Sequence, residues 1–330
     1  MNHPVLREYN ARKDLENLYD LGEVAYAEDY ARIGRSAKAG MDRERRVVAA
    51  VTLLGKVFPG LRDASKGFVW EDEGRIVSVV LLARVGLAGD RWSIETVATH
   101  PDYRRRGLAR RLVEQAIDSI RDRSGAVCTL KVRAENAPAY ALYCDLGFVH
   151  YDSTAHLKLD EVRGTIAPRM NGYAVREATP TEWFGSWEAR FGLALRETPE
   201  AVQRILPVSP FQYRRPAFAR FLAPAVIRLS GRRIDHFLVE DRDRLVATLA
   251  VDADAAGEGN HDLRVCVDPE HAPALAAALV DKGLRGLAGF AALPVLAETR
   301  ASNRIVIRAF EDRGFETIST WHWLGLRLDA

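Results

Sequence analysis

A mixed α/β fold, laid down twice in tandem, is the architecture this sequence predicts. Three observations carry the expectation. Short β-branched runs alternate with segments of 3.6-residue apolar period along the chain. The chain resembles itself at a nearly constant offset. A strand ending near Pro101 passes through an arginine- and glycine-rich loop into a helix.

The self-similarity is specific. Leu6-Arg7-Glu8 recurs as Val175-Arg176-Glu177, and the run 70–77 recurs as 239–246, both at a shift of 169. His100-Pro101-Asp102 recurs as Asp268-Pro269-Glu270 at 168. Asn136, Tyr143, Gly147 and Phe148 recur as Asn303, Phe310, Gly314 and Phe315 at 167. Anchors that drift by only two residues over such a length mark a duplicated unit. A chain of 330 residues accommodates two domains, and 48% apolar content is enough to fill two cores. Residues 160–172 hold turn formers and little periodicity, so the boundary is placed there. The first unit is expected over 1–162 and the second over 172–330.

Within the first copy the elements follow in order. A strand is expected near 4–9, then one or two helices across 12–55. The runs 68–73 and 76–85, split at Glu73-Gly74, read as a hairpin. A strand at 92–99 leads into the loop. The helix near 106–122 places Leu108, Ala109, Leu112, Val113, Ala116, Ile117 and Ile120 on one face. A strand at 126–132, a helix beginning after Pro138 and final strands to about Leu159 complete the unit. In the second copy, 252–261 reads as a mobile loop.

Composition narrows the function classes. A net charge of +2 gives no reason to expect a strongly basic partner surface. The arginines between Arg104 and Arg111 are a local cluster, for which nucleic acid is the weaker reading. Cys128, Cys144 and Cys266 are too few and too scattered for a disulfide scaffold. No CxxC or HExxH spacing supports a metal site. The first residues lack the apolar core of a signal peptide, and no apolar run approaches the roughly 18 residues of a membrane span. These features predict a soluble, cytoplasmic protein with no membrane partner.

The loop itself points to an anion. Arg104, Arg105, Arg106, Gly107, Leu108, Ala109 and Arg110 form a strand-to-helix junction at which successive backbone N–H groups share one concavity. The first turn of the helix adds unpaired donors and the positive end of its dipole. Gly107 and small Ala109 keep side chains out of the way. Such a cradle suits a pyrophosphate.

This segment resembles the acyl-CoA loop of the GNAT acetyltransferase superfamily, whose pattern is Arg/Gln-x-x-Gly-x-Gly/Ala. The resemblance extends to the Val-x-x-His-Pro strand ending, to Asn136-Ala-Pro-Ala-Tyr-Ala-Leu-Tyr143, and to Leu146-Gly147-Phe148. It implies an acetyl-CoA-dependent N-acetyltransferase without a metal. The acceptor would be a primary amine of a small molecule or peptide, attacking directly in a ternary complex. The two units would each be a twisted mixed sheet flanked by helices. The family implies that the pantetheine arm pairs with Val97, Ala98 and Thr99 as though it were an added strand, and that Asn136 contacts the cofactor. Asn136 is equally placed to cap the helix that follows.

Tyr143 stands where these enzymes commonly place a tyrosine, and its phenol suits the general acid that protonates the departing thiolate. A core aromatic is the competing assignment. Glu95, a charged residue in an apolar strand, is the candidate general base. Glu28, Asp29 and Tyr30 are reserve candidates near the acceptor. Cys144 has no histidine at a defined spacing and is expected to be a small buried residue rather than a nucleophile.

The second copy is chemically poorer. His271-Ala-Pro-Ala-Leu-Ala276 replaces the cradle, Pro273 removes a donor, and Phe310 stands in place of Tyr143. That copy is expected to be degenerate, serving either as structural support or as a wall of the acceptor site. A fused pair imitates a dimer, so either a monomer or a homodimer is compatible. Two other functions fit the motif. One is a non-catalytic acyl-CoA sensor. The other is a mycothiol-synthase-like acetyltransferase, although that family's C-terminal copy is the active one and here the N-terminal copy holds the motif.

Overall fold

The computed structural model of the chain describes residues 4–27, 66–85, 90–164, 166–170, 172–214, 231–257 and 259–328. The chain divides into two compact units. One is made of residues 1–131, 141–149 and 324–330, and the other of 132–140 and 150–323.

The first unit opens with β1 (Val5–Glu8) and α1 (Ala11–Ala25). Asn10 caps α1, its side chain accepting from the N–H groups of Arg12 and Lys13. Strands β2 (Lys66–Asp72), β3 (Arg75–Arg84), β4 (Arg91–Thr99) and β5 (Val127–Arg133) build the sheet. Its order is β1-β2-β3-β4-β5, antiparallel except for the parallel pair β4–β5. The β2–β3 hairpin turns on Glu73 and Gly74, whose φ values of 49° and 79° suit the twist of the strands. Helix α2 (Leu108–Arg121) is the crossover from β4 to β5. It buries Leu108, Leu112, Val113, Ala116, Ile117 and Ile120, so the apolar stripe read from the sequence is its core face. Leu112, Val113 and Ile120 are wholly enclosed, each contributing roughly 2 kcal/mol. The turn into β5 needs a glycine: a Cβ on Gly125 would lie 2.3 Å from Ile120 and 2.8 Å from Trp92. Helix α3 (Ala137–Asp145) follows. The Leu328 N–H donates 2.8 Å to the Ala126 carbonyl, bringing the end of the chain alongside the start of β5.

In the second unit the order is β6-β11-β10-β9-β8-β7, again mixed, with β10–β11 the parallel pair. The strands are β6 (Val149–Leu159), β7 (Ala174–Ala178), β8 (Arg232–Asp241), β9 (Arg244–Asp254), β10 (His261–Val267) and β11 (Val295–Arg300). Short α4 (Pro180–Gly185) and α6 (Glu200–Ile205) flank α5 (Trp187–Glu197). Helix α7 (Ala272–Leu287) is the crossover, followed by α8 (Arg304–Glu311) and β12 (Glu316–Arg327). The core gathers Leu249, Leu263, Leu275, Leu279 and Phe310. The duplication read from the sequence is therefore a duplicated mixed α/β unit.

Two readings change. The run 252–261 is not a loop throughout: Asp252, Ala253 and Asp254 close β9 and His261 opens β10. Buried Asp252 accepts from Arg232 at 2.6 Å, and the Asp254 N–H donates to His261 at 3.0 Å. Polar composition suggested mobility, but these bonds make it strand. In the first copy, the region expected to end in more than one strand holds the single 11-residue β6. Of the helices expected across 12–55, α1 is described, and residues 28–55 lie outside the described residues.

Candidate active site

The site begins with an irregularity in β4. Its antiparallel pairing with β3 runs regularly from Ser78↔Thr99 to Leu81↔Thr96, then skips a residue, so that Leu82 faces Ile94. Glu95 is the extra residue of a β-bulge, exposed in an otherwise largely covered strand. Parallel pairing with β5 extends from Arg91↔Val127 to Ile94↔Leu130 and stops at the bulge. Beyond it one edge of β4 pairs with no strand among the described residues. The His100 N–H donates 2.8 Å to Val77 on β3. Strand alternation therefore turns the N–H and C=O of Val97 and Thr99 toward the open edge. The buried Ser78 hydroxyl donates to the Ala98 carbonyl at 2.9 Å and shares a 2.7 Å hydrogen bond with the Thr99 hydroxyl.

The loop after β4 starts with a single 3₁₀ turn, Pro101–Tyr103. Its shape is pinned from below. The Tyr103 hydroxyl donates to Asp72 at 2.6 Å, and the Trp70 indole to the Leu108 carbonyl at 3.3 Å. Arg105 and Gly107 then adopt left-handed conformations, with φ of 60° and 76°. The Arg104 N–H is bonded to Pro101 and the Arg111 N–H to Gly107, each at 3.2 Å. The six N–H groups between them, from Arg105 to Arg110, have no partner among the described residues. A run of free donors at a helix start is an anion cradle. A Cβ on Gly107 would point into empty space, so glycine serves the left-handed turn and leaves the cradle clear.

The arginine side chains divide. Those of Arg104, Arg105, Arg106 and Arg111 belong to exposed residues. Arg106 is steadied by a 2.7 Å bond to the Asp102 carbonyl and lies 4.7 Å over the Tyr103 ring. Arg110 pairs with Asp145 at 3.0 Å. Donors, positive charge and open space together fit a pyrophosphate.

Tyr143 lies on α3, 6% exposed, edge-on to Phe148 at 6.0 Å. Its hydroxyl makes no hydrogen bond among the described residues. Burial pushes the phenol well above its usual range, and the nearby Tyr26 phenol adds to the rise. Tyr143 is thus a phenol held in its protonated form rather than one matched to a thiol. Tyr26, which sequence reasoning missed, donates its hydroxyl to the Val97 carbonyl at 2.9 Å. It brings the open edge and Tyr143 together. No local pattern around position 26 marks it, since the contact spans 71 residues. Tyr103 was also missed, and only its place inside the loop signals it.

The remaining candidates are more loosely placed. The Glu95 side chain makes no hydrogen bond or ion pair among the described residues. Asn136 takes its capping role: its side chain accepts from Ala139 at 3.2 Å and its carbonyl from Tyr140 at 3.0 Å. Cys144 is exposed, correcting the buried residue expected, because it falls on the outer face of α3. Glu28, Asp29 and Tyr30 lie outside the described residues. Among the described residues no cluster of three or more His, Cys, Asp or Glu could hold a metal ion, and no helix is long and apolar enough to cross a membrane.

The second unit lacks the bulge and the cradle, although its parallel pairing of β10 with β11, from His261↔Val295 to Leu263↔Ala297, stops at the equivalent place. Strand β10 pairs with β9 without a break, from Asp262↔Asp252 to Val267↔Ala247. Thr96 corresponds there to Arg264 and Ile94 to Leu263, so Glu95 has no counterpart. That missing residue explains the drift of the repeat offset from 169 to 168. The linking segment is also shorter: residues 100–107 separate β4 from α2, but only 268–271 separate β10 from α7. The N–H groups of Glu270, His271, Ala272, Ala274 and Leu275 are all bonded within the segment, and Pro273 has none. Phe310 and Phe315 repeat the ring pair of Tyr143 and Phe148, at 4.9 Å, without the hydroxyl.

Residues 41–148, which contain the open edge, the loop and α3, match the model of the acetyltransferase (GNAT) family. The match to that family covers less than half of the chain. The chain is 48% identical over 59 residues to the ribosomal protein bS18-alanine N-acetyltransferase of Escherichia coli K12, covering 18% of this chain and 40% of that one. It is 34% identical over 76 residues to the N-alpha-acetyltransferase RimI of Mycobacterium tuberculosis, 23% of this chain and 46% of that one. The chain thus spans less than half the length of these curated relatives. Among solved structures, a GCN5-related N-acetyltransferase from Sphaerobacter thermophilus aligns over 99% of this chain and 96% of its own, with TM-score 0.66 and 16% identity. A tandem GNAT protein from the clavulanic acid biosynthesis pathway aligns over 98% of both chains, with TM-score 0.59 and 19% identity. At such identities the likeness is one of fold, and it extends over the whole chain.

Proposed function

We propose that the chain is an acetyl-CoA-dependent N-acetyltransferase whose donor site lies in the first copy, 1–162, while the second copy, 172–330, is degenerate. The observation that carries this reading is the six-residue run of unpartnered N–H groups from Arg105 to Arg110 beside the open edge of β4. Acetyl-CoA would supply an activated acetyl carbon and a thiolate leaving group. The backbone from Arg104 to Arg110 would hold its phosphates, with Gly107, Leu108 and Ala109 forming the floor. Val97, Ala98 and Thr99 would pair with its arm, and Asn136 is assigned to the cofactor by the family pattern.

The amine nitrogen attacks the thioester carbonyl carbon, the C–S bond breaks, and the nitrogen loses a proton. Glu95 is the proposed acceptor of that proton, directly or through water. Tyr143 is the proposed donor to the sulfur. With its pKa raised, its part is to hold a hydrogen bond on the departing thiolate and pass the proton as negative charge builds there. The acceptor class proposed is a primary amine. The two named relatives support a polypeptide α-amine, and a small-molecule amine is the alternative. The test is release of free thiol from acetyl-CoA with a panel of amines that includes peptides beginning with Ala. Turnover with none of them, together with intact CoA binding, would favour an acyl-CoA sensor instead.

A further inference from the structure

The two carbonyls on the open edge of β4 are the acceptors at which an added strand would pair, and side chains already hold both. The Tyr26 hydroxyl donates to Val97 at 2.9 Å, and Arg104 Nε donates to Thr99 at 3.3 Å. Through Nη2 the same guanidinium reaches the Ala25 carbonyl, also at 3.3 Å. Ala25 ends α1, and Tyr26 is its C-cap, with its N–H on Gly22. The end of α1 and the start of the phosphate loop are therefore tied to one another and to the same strand edge.

We propose that Tyr26 and Arg104 are stand-ins for the pantetheine arm, holding the Val97 and Thr99 carbonyls before the donor binds and giving them up to it. The inference rests on the acetyl-CoA reading of the site. A backbone carbonyl on an edge left without a strand needs a donor. A phenol and a guanidinium meet that need while the edge is vacant. An arm lying along the edge offers amide N–H groups to the same atoms, in the direction a neighbouring strand would use. The Arg104 contacts are long for N–H···O bonds and yield readily. The Tyr26 bond is well formed, so Tyr26 is the stronger competitor. Its release unties the last turn of α1 from β4. Donor binding is thereby coupled to the end of α1, and Tyr26 acts as a positioning residue rather than a catalytic one.

The test uses the full chain, titrated by calorimetry with CoA and with adenosine 3′,5′-bisphosphate, which carries phosphates and lacks the arm. Tyr26→Phe keeps the ring against Leu21, Val69, Ile76, Val79 and Ala98 and removes only the hydroxyl. The variant is expected to bind CoA about five- to tenfold more tightly, the scale of one net hydrogen bond removed from the competition. Its affinity for the bisphosphate should stay within about twofold of wild type, since the Tyr26 hydroxyl is bonded to the Val97 carbonyl, where the arm rather than a phosphate would lie. A purely structural tyrosine would weaken both ligands or leave both unchanged. Unchanged or weaker CoA binding, or equal tightening toward both ligands, would overturn the proposal while leaving the acetyl-CoA site intact. Absence of CoA binding to the wild-type chain would remove that site, and the proposal with it.

Discussion

Gly107 and His271 stand at the same point of their repeats, the N-caps of α2 and α7, in opposite conformations. Gly107 is left-handed, with φ 76° and ψ 3°, whereas His271 is right-handed, with φ −97° and ψ −9°. The left-handed residue turns the chain sharply into α2 and leaves the donors before and after it unpaired. The right-handed one lets α7 begin directly, its first turn using the donors for its own bonds. One duplicated unit thus has an anion cradle in one copy and a longer helix in the other.

Tyr143→Phe is expected to lower kcat by about 10²-fold with CoA affinity little changed. The edge-on packing on Phe148 survives, as Phe310 on Phe315 demonstrates. Because burial raises the phenol's pKa, the wild-type rate should show no basic limb from Tyr143 up to about pH 10. Wild-type kcat in the variant would make Tyr143 a core residue. A limb near pH 8 to 9 would belong to another group.

Glu95 acts in two separable ways. Glu95→Gln keeps the bulge and removes the proposed base, so kcat should fall by roughly 10- to 100-fold with CoA affinity within about twofold. Deleting Glu95 should let β4 run in unbroken register with β3, as β10 does with β9, remove the bulge's bend at the donor edge and weaken CoA binding by about 100-fold or more. Full affinity in the deletion, measured by calorimetry, would separate the bulge from the donor site.

Glu197 should make stability depend on pH. Burial pushes its carboxyl up to about 7. Arg300 approaches at 3.3 Å but is shared with Asp152 and is itself disfavoured by burial. A pKa raised by folding gives stability that is complete below the unfolded value near 4.5 and is lost as pH rises through about 7. Between about pH 5 and 8 the wild-type chain should lose stability relative to Glu197→Gln by at most about 1.4 kcal/mol per pH unit. Denaturant titrations across that range give the slope. Parallel curves would show that Arg300 keeps Glu197 ionised.

Periodicity and repetition made much of the fold legible. The face of α2, the hairpin at Glu73-Gly74 and the duplication are local or self-referential patterns. The cradle could be read because its donors belong to consecutive residues. Tyr26 could not, because its role depends on a contact between α1 and β4 that no spacing encodes. The bulge at Glu95 left a trace, the one-residue drift in the repeat offset, although only strand register shows which residue is extra. Asp252 and Asp254 misled because polar residues that pair internally have the same composition as a loop. Cys144 misled because the short α3 has no strong apolar face to set its orientation.

The central claim is that one donor site exists, in the first copy, at the residues from Arg104 to Arg110. Calorimetric titration of acetyl-CoA into the full chain, beside Gly107→Glu, tests it most directly. The variant places a carboxylate in the cradle on a residue whose φ of 76° strains any side chain. The expected result is one acetyl-CoA per wild-type chain and binding weakened at least about 100-fold in the variant. Two molecules bound per chain, or undiminished affinity in Gly107→Glu, would contradict it.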